Sequence, residues 1–175
     1  AHNSPFIEEE AAHAGFLFGL GLQGHLPRLP MIKSWDFLSP QKVMSLIATL
    51  LGLAAGSIGS MDSHIFKALC MHIPFLRPNP QLQNLSGASP STTLAADSVE
   101  IPSPAIAAAM VGLGLLFRGS GDRRMVEMLI NELSTQPSFR ALKDNESYAL
   151  ATGMGLGLIS LGKGDAIPGL TDLRI

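Results

Sequence analysis

The sequence predicts an all-α fold, an α-helical repeat solenoid built from paired helices. Three observations carry that expectation. Four glycine-rich apolar segments recur along the chain, each of the first three is followed by a second element, and no β-branched alternating run competes with them. Hydrophobic residues make up 46% of 175 residues and charged residues only 15%. A free-standing globule carries about 25% charge, so part of this surface is expected to lie against something else.

The four segments are His13–Leu22, Ala48–Gly56, Ala108–Leu116 and Ala151–Ile159. With Gly19, Gly52, Gly112 and Gly155 set equivalent, the steps are 33, 60 and 43 residues. Stacked repeats have periods of roughly 20–50 residues, so the long middle step requires an insertion. The stretch 74–104 supplies it, with six of the twelve prolines and the polar Ser86–Thr93 cluster. It reads as a loop on the rim. The repeats then run over about 8–38, 39–73, 102–134 and 144–175. Serines before prolines, Ser39-Pro40 and Ser103-Pro104, are expected to cap the second and third glycine-rich helices, and Asp144 or Asn145 the fourth.

The following elements are amphipathic. In Asp62–Ile73 the apolar Ile65, Leu69 and Ile73 recur every four residues, and in Asp122–Leu133 so do Met125, Leu129 and Leu133. Glycine inside a helix costs about 1 kcal/mol relative to alanine, so its repeated use demands a return. Small residues spaced by four, Gly15/Gly19, Gly52/Gly56, Ala108/Gly112 and Gly153/Gly157, share a helix face where backbones can approach closely. The expected architecture is an inner layer of glycine-bearing helices covered by outer amphipathic ones.

Several function classes lack a basis in these residues. The net charge is -2 with no basic run, so no nucleic-acid footprint is expected. The apolar run Ala105–Phe117 is shorter than the roughly 20 residues of a bilayer span, so no membrane helix is expected. Glu8, Glu9 and Glu10 stand where a signal peptide would be apolar, and they favour the positive end of a helix they are expected to precede. The chain reads as a piece of something longer. One cysteine, Cys70, excludes a disulfide framework and suits a reducing compartment, where it is expected to be a small buried hydrophobe.

Gly19 to Gly24 spells G-x-G-x-x-G, but the dinucleotide motif needs a strand before the turn, and helix is expected there. Gly157 to Lys163 nearly spells a phosphate loop, yet Gly164 replaces the magnesium-binding hydroxyl; a helix end stopped by Gly162 is the better account. The histidines His2, His13, His25, His64 and His72 form no short-spaced ligand set. His13 and His25 are expected at helix ends, His64 and His72 along an outer helix. No catalytic constellation, cofactor, metal or small-molecule substrate is expected. Arg123 and Arg124, on the polar face of an outer helix, are the candidate partner contacts.

A resemblance follows from Ala12–Leu22, Gly24-His25-Leu26, Gly59-Ser60-Met61-Asp62-Ser63, Gly112–Leu116, Arg123-Arg124-Met125, Asp144–Tyr148 and Leu161-Gly162-Lys163-Gly164. These stretches resemble the proteasome/cyclosome repeats of the large scaffold subunit of a multisubunit ubiquitin ligase, the anaphase-promoting complex. The repeat type is shared with proteasome regulatory-particle subunits, but Met61-Asp62-Ser63 and Arg123-Arg124-Met125 look more like the cyclosome. The resemblance implies a toroid of inner and outer helices, a scaffold without catalytic groups, and a role in mitosis in the nucleus and cytoplasm. It also implies other subunits of the complex and a coactivator as partners. The alternative is a proteasome module that docks ubiquitin-like domains.

Overall fold

A computed structural model of the chain describes residues 5–29, 37–39, 41–76, 101–135 and 145–164. Among them are six α-helices and no strand: α1 Pro5–Leu22, α2 Val43–Ala55, α3 Ser63–Cys70, α4 Ser103–Leu116, α5 Arg123–Thr135 and α6 Asn145–Ile159. Two short 3-10 turns, Leu26–Arg28 and Pro74–Leu76, follow α1 and α3. The fold is all-α. Most of the expected insertion (77–100), Pro40, Asp144 and the chain from 165 onward lie outside the described residues.

The glycine-rich helices α1, α2, α4 and α6 lie side by side in that order, forming one layer. Helix α3 packs over α2 and α4, and α5 over α6, which makes the second layer. Between the layers runs a continuous core that includes Leu46, Leu50, Leu69, Met110, Leu113, Leu116, Val126, Leu129 and Ile159, all fully buried. Each such side chain contributes about 1.5–3 kcal/mol. Helix α4, in the middle of the layer, buries nine of its residues, because it has neighbours on both flanks and above. The outer helices start on aspartates: Asp62 Oδ1 accepts from the His64 and Ile65 amides at 2.7 and 3.2 Å, and Asp122 Oδ1 from Met125 at 3.0 Å.

The seams between inner helices are backbone on backbone. A Cβ on Gly21 would overlap the Gly52 backbone, and one on Gly114 would stand 2.6 Å from Gly155 Cα. The register recurs. Positions two before the equivalent glycine put their carbonyls under the next helix, Leu17 O beneath Gly52, Leu50 O beneath Gly112 and Met110 O beneath Gly155. Positions two after it, Gly21, Ala54 and Gly114, lie at the same three seams. Residues two apart on an α-helix are about 200° apart, so a small-x-small pair serves both neighbours. Gly112 faces α2 and Gly114 faces α6. A leucine from each covering element closes the seam: Leu26 meets Gly52, Leu69 meets Gly112, and Leu129 meets Gly155.

This geometry corrects the spacing-by-four expectation. Gly52, Gly56 and Gly112 do sit against neighbouring atoms, Gly56 against Gly21 O and Gly24 Cα. Gly15, Gly19, Gly153 and Gly157 have nothing within 4 Å of an added Cβ, because they lie on the outward flanks of the first and last inner helices. The tightest contacts are those of Gly21, Gly56 and Gly114, so two of the three fall outside the spacing-by-four pairs.

Helix starts are corrected too. Helix α2 begins after Lys42, four residues beyond Ser39, and neither Ser39 nor Lys42 caps it with a side chain. Glu10 Oε1 of α1 accepts from the Met44 amide at 3.3 Å, supplying one acceptor that the first turn lacks. Ser103 is the first residue of α4 rather than its cap, with Pro102 at the cap position. Glu8, Glu9 and Glu10 lie inside α1, since Pro5 already starts that helix.

Candidate functional site

The most ordered polar feature is a ladder at the C-terminal ends of the inner helices. The last carbonyls of an α-helix have no partner within it. Gly59 and Met61, in the loop after α2, donate their amides to Leu115 O and Leu116 O of α4 at 3.0 and 3.2 Å. Sixty residues on, Gly119 and Gly121 donate to Leu158 O and Ile159 O of α6 at 2.9 and 3.0 Å. Each loop reaches forward to the next inner helix. The donors hold positive φ, +69° and +53° in the first loop and +66° and +62° in the second. At three of these four positions the residue is glycine, which takes that conformation without a Cβ penalty.

Serine and aspartate fix the loops. Ser60 Oγ accepts from the Asp62 amide at 3.3 Å and Ser120 Oγ from Asp122 at 3.2 Å, so Gly-Ser-x-Asp is one unit used twice. The matched stretch Gly59–Ser63 thus holds a seam together and starts an outer helix.

The enzyme-like motifs sit in this framework. Gly19 and Gly21 lie within α1, so helix precedes the G-x-G-x-x-G stretch where a dinucleotide site needs strand. From Gly157, α6 runs on to Ile159, and carbonyls rather than free amides stand at its end. Lys163 lays its stem over Gly121, 3.0 Å from an added Cβ.

His13 is not at a helix end. It lies within α1, with Nδ1 3.3 Å from Ser45 Oγ of α2 and its ring 5.5 Å from that of Phe37. His25 is exposed after α1, where its amide donates to Leu20 O. His64 is exposed on the first turn of α3, whereas His72, just past that helix, is buried with Nδ1 2.9 Å from Ala68 O. A polar recess of about 520 Å³ between α1 and α2 is lined by Glu9, Glu10, His13, Lys42 and Ser45. Glu10 and His13 are spent on α2 there. No three His, Cys, Asp or Glu side chains among the described residues converge as metal ligands. Cys70 is half-buried, and burial pushes its thiol up to about 11. It is held as a thiol at neutral pH, which removes nucleophilic character.

Arg123 and Arg124 stand exposed at the start of α5. Arg123 Nε pairs with Glu127 Oε1 one turn on, at 2.6 Å. Both partners are about half exposed, so the pair adds at most a few tenths of a kcal/mol. Tyr148 of α6 donates to Glu132 Oε1 of α5 at 2.9 Å, a tie between layers that the sequence reading missed. Burial and the Glu132 carboxylate raise its phenol. No helix among the described residues is long and apolar enough to cross a membrane.

An inner layer of helices with closed seams, clipped together at one edge and covered by outer helices, defines a stacked α-helical repeat protein. Two consecutive family models match it, the APC1 fourth domain over residues 1–58 and the APC1 fifth domain over residues 63–175. The chain belongs to the family of anaphase-promoting complex subunit 1. It is 36% identical to the Homo sapiens subunit over 99% of this chain and 8% of that protein. With the Schizosaccharomyces pombe subunit the identity is 39% over 94% of this chain and 10% of that protein. An Emericella nidulans relative, 34% identical over 93% of the chain and 7% of its own length, carries the name negative regulator of mitosis. The chain spans about a tenth or less of each of these relatives. These matches favour the cyclosome subunit over the proteasome subunits.

Proposed function

We propose that the chain is a non-catalytic scaffold segment of the anaphase-promoting complex, positioning other subunits for ubiquitination in the cell cycle. The observation that carries this is the match to two consecutive domains of subunit 1, which together cover nearly the whole chain. The architecture supports it. Backbone-tight seams and forward-reaching loops make a stiff layer, and stiffness is what a subunit that holds others at fixed distances needs. The inner layer forms part of a toroid, and the complex works in the nucleus and cytoplasm. Arg123 and Arg124 lie on the outer layer, where planar guanidinium groups suit a contact with another subunit or a coactivator.

The test is affinity capture of the complete polypeptide from cell extract. Recovery of cullin and tetratricopeptide subunits is expected. Recovery of proteasomal ATPases in their place overturns the reading.

A further inference from the structure

The loops at the C-terminal edge of the inner layer touch one another in a row. A Cβ on Gly59 would stand 3.5 Å from Arg118 O, and one on Gly119 would stand 3.4 Å from Leu161 O. Ile58, Arg118 and Leu161 hold one position in the three loops, each just before a glycine of positive φ. All three are exposed, Ile58 and Leu161 by 46% and 49%. Ile58 and Arg118 stay open although a further loop lies beside each, so this exposure belongs to the edge and not to the flank of α6. Packed helix axes stand about 8–10 Å apart, so the edge reads apolar, basic, apolar at about that step.

Positive charge gathers around the middle loop. Arg118 opens it, Arg123 and Arg124 follow it, and Lys163 lays its stem across Gly121. The carboxylates nearby in the chain are spent internally: Asp122 caps α5, and Glu127 pairs with Arg123. Among the described residues, Arg118, Arg124 and Lys163 have no carboxylate partner. Because its stem is already packed, Lys163 loses less rotamer freedom when its ammonium is engaged. The amides of Gly59, Met61, Gly119 and Gly121 are bonded to the inner helices, which leaves recognition to side chains.

We propose that this edge docks an acidic segment of another protein, its carboxylates on Arg118, Arg124 and Lys163 and its apolar side chains on Ile58 and Leu161. The inference rests on the reading of the chain as a scaffold segment and names the chemistry of one partner. Charge complementarity selects the occupant, since the cations here lack counterparts within the chain. Apolar side chains on both sides of the cations favour a peptide, because a phosphate backbone would leave them uncovered. An extended chain advances about 3.3 Å per residue. The matching register is therefore an acidic residue with an apolar residue three positions to either side.

Carbodiimide, which joins a lysine amine directly to a carboxylate, tests this on the assembled complex. Mass spectrometry is expected to find Lys163 coupled to an aspartate or glutamate of another subunit. A Lys163 that couples to none, or only within its own chain, overturns the proposal. A second measurement titrates the complete polypeptide with a fluorescent peptide carrying glutamates flanked by leucines in that register. Arg118→Glu with Lys163→Glu is expected to weaken binding tenfold or more, whereas the charge-keeping Arg118→Lys with Lys163→Arg retains it. Should the Lys163 change lower helicity, Arg118→Glu with Arg124→Glu replaces the pair, since both arginines are exposed. Binding that survives charge reversal in a folded variant overturns the docking edge. Inorganic polyphosphate that binds as tightly as the peptide, unaffected by Leu161→Ser, assigns the edge to polyanions and overturns the peptide occupant. The two readings fail separately. Charge-reversed polypeptide that still recovers every ligase subunit and still binds the peptide sinks the docking edge alone. Charge-sensitive peptide binding in a polypeptide that recovers proteasomal ATPases sinks the scaffold assignment and leaves the edge standing.

Discussion

Gly114→Ala isolates the physics of the inner layer. On an exposed helix the change gains about 1 kcal/mol. At Gly114 the new methyl would stand 2.6 Å from Gly155 Cα, 3.0 Å from its carbonyl oxygen and 3.2 Å from its carbonyl carbon. All three atoms are backbone in a packed helix, so no flexible side chain can swing aside. Overpacking costs about 1–3 kcal/mol, and with rigid backbone on both sides the upper end applies, leaving a net loss of about 2 kcal/mol. For a chain of this size that lowers the unfolding midpoint by about 4–8 °C. The control is Gly157→Ala in the same 175-residue chain, two residues past Gly155 on the open flank, where the methyl meets nothing within 4 Å. It should raise the midpoint by about 2–4 °C. Circular dichroism melts at 222 nm read both. If Gly114→Ala melts no lower than the wild-type chain, the backbone-contact account of the seams is wrong.

Other consequences are open to direct measurement. Asp122→Ala removes the acceptor for the Met125 amide and should cost about 1 kcal/mol in a urea titration, whereas Asp122→Asn should retain most of it. Tyr148→Phe cuts the tie to Glu132; a loss of about 1 kcal/mol is expected, and an equal loss from Glu132→Gln would show that charge rather than the phenol matters. The Cys70 thiol is raised from 9.0 to about 11 in the folded chain, so its contribution is fully present below pH 9 and is lost as pH rises through 11. Alkylation of Cys70 by iodoacetamide at pH 8 should therefore be much slower in the folded chain than in urea, and equal rates would contradict the burial argument. Arg123→Glu with Arg124→Glu should weaken recovery of other subunits while leaving helicity intact; a matching loss of ellipticity would point to misfolding instead.

Much of the fold was legible because glycine is costly in helices and its recurrence had to mean something. Setting Gly19, Gly52, Gly112 and Gly155 equivalent reproduces the register of the seams, since Leu17, Leu50 and Met110 place their carbonyls alike. The amphipathic stripes located α3 and α5 because Leu69 and Leu129 are core residues that recur with the layer. What spacing could not say was which glycines meet. Spacing by four marks a shared face, but a layer has two flanks. The signal was the small-x-small pair, in Gly19-Leu20-Gly21 and Gly112-Leu113-Gly114, which splits between them. Helix starts were misread where tertiary contacts supplied the acceptor, as Glu10 does for α2, because no local pattern encodes a cap borrowed from another helix. The candidate surface was less legible still. Arg123 and Arg124 were chosen for residue type and helix face, while the loop donors Gly59, Met61, Gly119 and Gly121 act through main-chain atoms that every residue except proline carries.

An electron cryo-microscopy map of the assembled ligase bears most directly on the scaffold claim. The account predicts α1, α2, α4 and α6 as one unbroken layer, Gly114 touching Gly155, and another subunit resting on this segment. Inner helices held apart by side chains, or a segment with no other subunit against it, would contradict it.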